Sequence, residues 1–395
     1  MVVRPWGTHL HPLGLELIVQ AFLRWVETAK SGDRARAANA LARAYLRSSM
    51  AEDERRAAKV AMTYLLDDPS PRVRLGLAEA LADSADAPRA IMVSLAEDQP
   101  EIASLAILRS PVLTDSDLVD LAGRGSSMTR MFIAARPQLG RGVAAALAEI
   151  GDMDEVLVLL ENPSAEISRL TLKRVAERHG REDRIRALLL DRDDLPADAR
   201  QLLVQFVTEV LTGFGLVQAT IGSRRIEHVA REAGATATIT IAGNVSPEDL
   251  PALVDHLRTS GRLTPAFLMH SLCSGRTDFF ASSVVALSGL DERRVRSILA
   301  TGRFHSVRAL LETTGLKREV SPIFVEAIML WRNAIQSAAG SEMENISARL
   351  LDRYRKTPPA SEAAWKLLDM VEKLSIMESR RQARDYASGL ALAAA

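Results

Sequence analysis

The sequence predicts an all-α chain, an α-solenoid of stacked helix pairs with a C-terminal helical tail. Three observations predict it. A ten-residue string recurs: "LLDDPSPRVR" (Leu65 to Arg74) returns as "LLENPSAEIS" (Leu159 to Ser168), 94 residues later. Apolar residues follow at helical steps, Val73, Leu77 and Leu81 lying on one face. Aromatics make up 4% of a chain that is 47% hydrophobic, so Ala, Leu, Val and Ile must build the core. Ala and Leu lose little entropy in a helix, which suits closely packed helices.

A chain of 395 residues holds two or three domain-sized units or one repeat array. With 25% charged residues it has the composition of a folded globular protein, which argues against global disorder. Lys plus Arg and Asp plus Glu both number 50, so the formal charge is zero. A dedicated nucleic-acid binder usually carries a basic surplus, because phosphate neutralisation supplies most of its affinity. The single cysteine, Cys273, excludes an intramolecular disulfide and a cysteine-based metal site. The apolar N-terminal stretch is broken by His9, His11, Pro12, Glu16 and Gln20, and it is read as no signal peptide. No run approaches the ~18 apolar residues of a membrane span. The expected location is the cytoplasm.

Residues 1–60 are read as N-terminal capping helices over 14–29 and 33–47, with a third running from Ala51 into the first repeat. The first carries Leu15, Ile18, Val19, Phe22, Leu23 and Val26, an apolar set suited to closing an array. Residues 61–232 are the repeats. In each, a Leu-Leu pair closes one helix. Asp68 or Asn162 precedes a proline and is pushed out of the helical region. Ser70 or Ser164 is expected to cap the next helix, and Pro71 to occupy its first position, where a missing N–H costs nothing. At the same offset Leu81-Ala82-Asp83 matches Val175-Ala176-Glu177. Weaker copies run from Leu95 to Leu108, Leu118 to Ala135 and Leu188 to Phe206. The spacing is close to three units of about 31 residues, within the range of solenoid repeats. A unit cannot bury its apolar face alone, so units stack. The strings "LLDDPSPRVRLGLAEALAD" and "LLENPSAEISRLTLKRVAE" resemble HEAT-type repeats.

Residues 233–335 form a C-terminal helical module. At its start Thr236, Thr238 and Thr240 alternate with Ala237, Ile239 and Ile241, which suits a strand. As a helix, Ala235, Ile239 and Ala242 share a face, and no partner strand is visible nearby, so helix is favoured and strand is the alternative. Helices are expected over 247–260, 264–273, 279–287, 291–300, 306–313 and 322–331. The stretch carrying Leu263, Thr264, Pro265, Leu272, Cys273, Gly275, Phe279 and Phe280 resembles a bacterial family of unknown function with an L-T-P…L-C-x-G…F-F signature. Leu287-Ser288-Gly289, Arg294-Val295 and Arg308-Ala309-Leu310 extend the resemblance over roughly 247–333. It implies an all-helical fold and supplies no catalytic residue.

Residues 340–395 form a charged tail, two helices separated by Pro358-Pro359. Ala364, Leu367 or Leu368, Val371 and Leu374 approximate a short heptad seam. That seam serves either self-association or packing back onto the body. The closing "GLALAAA" is expected to fray.

Chemistry is sparse. His9 and His11 are too close together for a helical ligand pair, and His179, His228, His256, His270 and His305 each stand alone. Gly213-Phe214-Gly215 lacks the third glycine of a dinucleotide loop, and neither a Walker loop nor a nucleophile elbow is present. Cys273 shares a helix face with His270 but lies in an apolar context, and a buried structural thiol is expected. Asp67-Asp68 and Asp193-Asp194 sit at turns, where capping explains them. One cluster stands out: Arg293, Arg294, Arg296, Arg303, His305 and Arg308, with Asp291 and Glu292 the acids of that stretch. The five arginines are the candidate binding residues. They form either a solvated face paired with neighbouring acids or a contact surface for an acidic protein segment or phosphates. No catalytic residue, metal or cofactor is expected. The expected function is non-enzymatic, a protein-binding or scaffold role on the concave surface of the array. The alternative is a nucleic-acid-binding protein like the HEAT-like DNA glycosylases that this architecture resembles.

Overall fold

The computed structural model describes residues 21–393 except 23, 48–49, 214–222, 337–345, 357 and 360. Half of the apolar helix expected over 14–29, with Leu15, Ile18, Val19 and Leu23, lies outside the described residues, as does Gly213-Phe214-Gly215 beyond its first glycine. Among the described residues every regular element is a helix and none is a strand. None of these helices is long and apolar enough to cross a membrane. The chain divides into two compact units between Asp194 and Leu195. That division is coarser than the four segments expected from sequence, and it falls inside the second of them.

The first unit contains α1 (Ser31–Arg47), α2 (Glu52–Leu65), α3 (Pro71–Leu81), α4 (Arg89–Ala96), α5 (Pro100–Arg109) and α6 (Asp115–Arg124). It continues with α7 (Ser127–Ala134), α8 (Arg141–Ile150), α9 (Met153–Glu161), α10 (Arg169–His179) and α11 (Asp183–Leu190). Most of these helices pack on the next but one, while α2 and α4 pack on their immediate neighbours. α1, α3, α5, α7, α9 and α11 form one continuous row, and α6, α8 and α10 a second. Between the rows lie the side chains that the four-residue steps select: Leu77, Leu81, Leu95, Ile107, Leu147 and Val175 are fully buried.

The quoted turns work differently from the expectation. Ser70 precedes α3 but makes no side-chain cap, although Pro71 does take the first helical position. The buried Asp68 does the work instead. Its carboxylate accepts the Ser70 N–H at 2.9 Å and a two-pronged contact from Arg34 at 2.7 and 2.9 Å. Asn162 is its counterpart. It accepts from the Ser164 N–H at 3.0 Å and donates to the Ala134 and Arg136 carbonyls, each at 2.8 Å. Ser164 donates its hydroxyl to Asn162 at 2.8 Å and accepts the Gln138 N–H at 3.1 Å, so it does not cap the helix that follows. The second helix of that copy opens four residues later, capped by Ser168, which accepts from the Thr171 N–H at 3.1 Å. The delay has a physical reason: Glu166 N–H is held by the Leu139 carbonyl at 2.9 Å, outside any helix.

Helix C-termini leave their last carbonyls without partners. Here arginines from later in the chain fill them. Arg136 donates to the carbonyls of Ile107 and Ser110 at the end of α5. Arg178 donates to those of Ala148 and Gly151 at the end of α8. Both cations sit at the negative end of a helix dipole.

The second unit contains α12 (Ala197–Gly213), α13 (Ser223–Asn244), α14 (Leu250–Thr259), α15 (Pro265–Cys273) and α16 (Thr277–Ser288). Then come α17 (Glu292–Thr301), α18 (Phe304–Thr313), α19 (Ser321–Gln336), α20 (Ile346–Lys356) and α21 (Glu362–Ala393). The alternating threonine stretch is helix, inside α13. Its hydroxyls bond back one turn: Thr236 to Glu232, Thr238 to Gly234 and Thr240 to Thr236, at 2.7–3.0 Å. The buried Thr238 hydroxyl also lies 2.7 Å from Gln201 Oε1 on α12 and shares its proton between the two oxygens, while Ile239 and Ala242 enter the core. A larger core joins α15 to α21 around Phe280, Val284, Val295, Phe324 and Trp331. Arg332 on α19 donates to the carbonyls of Ile298, Leu299 and Gly302 at 2.6–2.7 Å, closing α17. Ala364, Leu367, Leu368 and Val371 are buried in this same core. The tail seam is thus occupied within the chain. The helix α21 runs on to Ala393, where fraying was expected.

Two outcomes are expected. Arg136→Ala leaves two closing carbonyls without a donor and should cost about 1–3 kcal/mol, read as a lower denaturation midpoint in urea. Asp117 accepts from Arg89, the Thr114 N–H and the Thr114 hydroxyl, and the Arg89 contact leads in holding its carboxyl down at about 2. A depressed carboxyl stabilises the fold above its unfolded value, and the contribution is lost as pH falls towards about 2. An acid titration of Asp117→Asn should therefore lose less stability than wild type between about pH 4 and 2.

Candidate functional site

The arginine cluster lies on α17 and α18. Asp291 caps α17 by accepting the Arg294 N–H at 3.2 Å, and Val295 is its buried residue. Successive residues on a helix turn by about 100°, so Arg293, Arg294 and Arg296 fan out to different sides. The structure therefore does not bring the five arginines to one point.

Two of them are neutralised. Arg296 sits between Asp278 on α16, at 2.9 Å, and Glu292 one turn back, at 2.7 Å, and the two acids raise its pKa. Arg308 pairs with Glu312 at 2.8 Å, and Glu312 also accepts from the Ser321 hydroxyl at 3.1 Å. Arg308 is the main reason the Glu312 carboxyl is held below its usual value. Arg293, Arg294 and Arg303 are exposed, and among the described residues none of the three makes an ion pair. His305 is exposed beside Phe304, ring edge to face at 5.6 Å.

Three grooves surround this hairpin. One of about 550 Å³ runs between α17 and α18, over Leu290, Ile298 and Leu310, with Arg294 on its wall. One of about 410 Å³ lies between α16, α17 and α19, over Phe280, Ile328 and Trp331, with the Asp278–Arg296 pair at its edge. One of about 440 Å³ holds Arg303, Phe304, Glu326 and Arg353. Each groove is lined by a different arginine of the cluster.

The residues of the L-T-P…L-C-x-G…F-F string are spent on the fold. Thr264 caps α15 by accepting the Phe267 N–H at 3.2 Å, and Pro265 takes the first helical position. The Leu272 carbonyl accepts the Trp331 indole N–H at 2.6 Å. Gly275 has φ +76°, and a Cβ there would meet the Trp331 ring at 3.1 Å. Phe279 and Phe280 are buried, and Gly289 closes α16 at φ +67°. Desolvation pushes the half-buried Cys273 thiol up to about 12 and pulls His270 down to about 4. That ordering suits neither a thiolate nucleophile nor a protonated partner for one. Among the described residues no group of three or more His, Cys, Asp or Glu side chains gathers as metal ligands do.

Sequence reasoning missed Arg332, Trp331 and Asp278. Each acts on a group 18 to 59 residues away. The available signal was a tryptophan and an arginine side by side in an apolar helix of a chain poor in aromatics.

The split within the cluster is measurable. Replacing Arg293, Arg294 and Arg303 together by Ala should change stability in urea by less than about 0.5 kcal/mol, as for ordinary surface positions. Arg308→Ala should lower the urea midpoint more than the triple change does, because it strips Glu312 of its cation.

No curated protein and no solved structure gives a significant match to this chain. Residues 102–362 match the family described as "Uncharacterised protein conserved in bacteria (DUF2336)". The match covers most of the second half of the first unit and reaches the start of α21, so by this span the chain belongs to the bacterial DUF2336 family.

Proposed function

We infer that the chain is a non-enzymatic, protein-binding scaffold of the cytoplasm, built as a HEAT-like array of stacked helix pairs. The observation that carries the reading is the row of alternate helices in the first unit. Packing each helix on the next but one is how stacked pairs bury faces that no pair can bury alone. Such arrays present long surfaces, and binding is the use those surfaces suit. The chemistry of the candidate site fits the same reading. Its cations are either paired with acids or left facing solvent, and its one thiol is held protonated. Arg293, Arg294 and Arg303 are available to a partner rather than to the fold.

Affinity capture with the full chain from bacterial lysate, with and without nuclease, tests this. A stoichiometric protein that survives nuclease is the expected result. Partners that vanish with nuclease would replace the reading with nucleic-acid binding. Turnover of a substrate, abolished by one point substitution, would overturn it outright.

A further inference from the structure

The groove between α17 and α18 has a floor, a charge and an open face. Leu310 is buried, and Leu290 and Ile298 are half-buried, so the floor is apolar. Its walls carry Ser297, Ser306 and Ala309, all exposed and all small. Small side chains let a third helix approach two others closely, because nothing on the walls holds its backbone away. Arg294 is the charge on the wall, and no acid lines the groove. The nearest acids are otherwise engaged: Asp291 caps α17, Glu292 binds Arg296 and Glu312 binds Arg308. Arg294, which makes no ion pair among the described residues, is thus the groove's own charge, although the whole chain is neutral.

We propose that this groove docks an acidic amphipathic helix of a partner protein. The apolar stripe of that helix lies on Leu290, Ile298 and Leu310, and a flanking carboxylate meets Arg294. Both α17 and α18 are ten residues long, about 15 Å, so the contact spans about three turns. A contact of that size is weak and steered by charge. The proposal rests on the scaffold reading and names the partner class for one surface of it.

The test uses the full chain and a fluorescent model helix of about four turns. The helix has Leu at positions one, four, eight and eleven and Glu on both flanks. A twin peptide carries Gln for every Glu. Fluorescence anisotropy at about 50 mM salt should give the Glu peptide at least about tenfold tighter binding than its twin, with the gap closing at about 500 mM. Arg294→Glu should remove the preference, and Ala309→Trp, which fills the groove, should remove binding. Both positions are exposed, and circular dichroism would confirm that the variants fold. Equal affinity for the twins, no binding of either, undiminished binding to Ala309→Trp, or displacement of the peptide by duplex DNA would each overturn the proposal. A captured native partner that Ala309→Trp still holds would sink this groove and leave the scaffold reading standing. Absence of any protein partner would sink the scaffold reading.

Discussion

Three arginines reach back to the closing carbonyls of an earlier helix: Arg136, in the turn after α7, to α5, Arg178 to α8 and Arg332 to α17. The constraint they answer is general. A helix end buried between neighbours has carbonyls that water cannot reach, and each costs free energy unless a donor arrives. A glycine turn would satisfy them locally. In these three helices a guanidinium does so from 26 to 34 residues away. The chosen donor suits the task. Guanidinium is planar, stays charged when partly desolvated, and can serve two or three carbonyls at once. It therefore fixes the spacing between helices as well as closing one of them.

The same logic runs through the turns. Asp68 joins Arg34 of α1 to the Ser70 N–H that opens α3, and Arg74 passes on to Asp98. Asn162 ties the end of α9 to the last carbonyl of α7 and to one in the turn after it. Polar groups buried at the turns thus set the register, while the apolar rows supply the area. This division explains how a core short of aromatics is kept in one arrangement. Leu, Ala and Val fill space with little shape of their own, and the hydrogen bonds specify where each helix stops.

Much of the architecture was legible in the sequence. The helices of the second unit sit where the apolar steps and the Thr264-Pro265 and Asp291 caps placed them, because those signals act within one or two turns. The Asp68 and Asn162 turns were legible as turns but not as hubs, since their partners Arg34 and Ala134 lie 34 and 28 residues away. The late start of α10 depends on the Leu139 carbonyl, which no local pattern reports. The threonine stretch of α13 alternates as a strand does, but the shared face of Ala235, Ile239 and Ala242 favours helix, and helix it is, with Ile239 and Ala242 in the core shared with α12 and α14. The arginine cluster was legible as a count of charges. Its division into paired Arg296 and Arg308 and solvent-facing Arg293, Arg294 and Arg303 follows from helix rotation and from Asp278 and Glu312, and one of those acids lies on another helix.

The family string is explained by this framework rather than by chemistry. Thr264, Gly275, Phe280 and Gly289 cap, turn or fill, and Leu272 gives its carbonyl to Trp331. What varies in function must then lie on surfaces that this frame holds still. The most direct test of that frame is native-state hydrogen exchange on Arg178→Ala, followed by mass spectrometry. If the guanidinium couples helices, protection should fall in peptides covering 141–151, one helix pair upstream of the substitution, as well as near it. A loss confined to 169–179 would contradict the account, because α8 would then close without its distant donor.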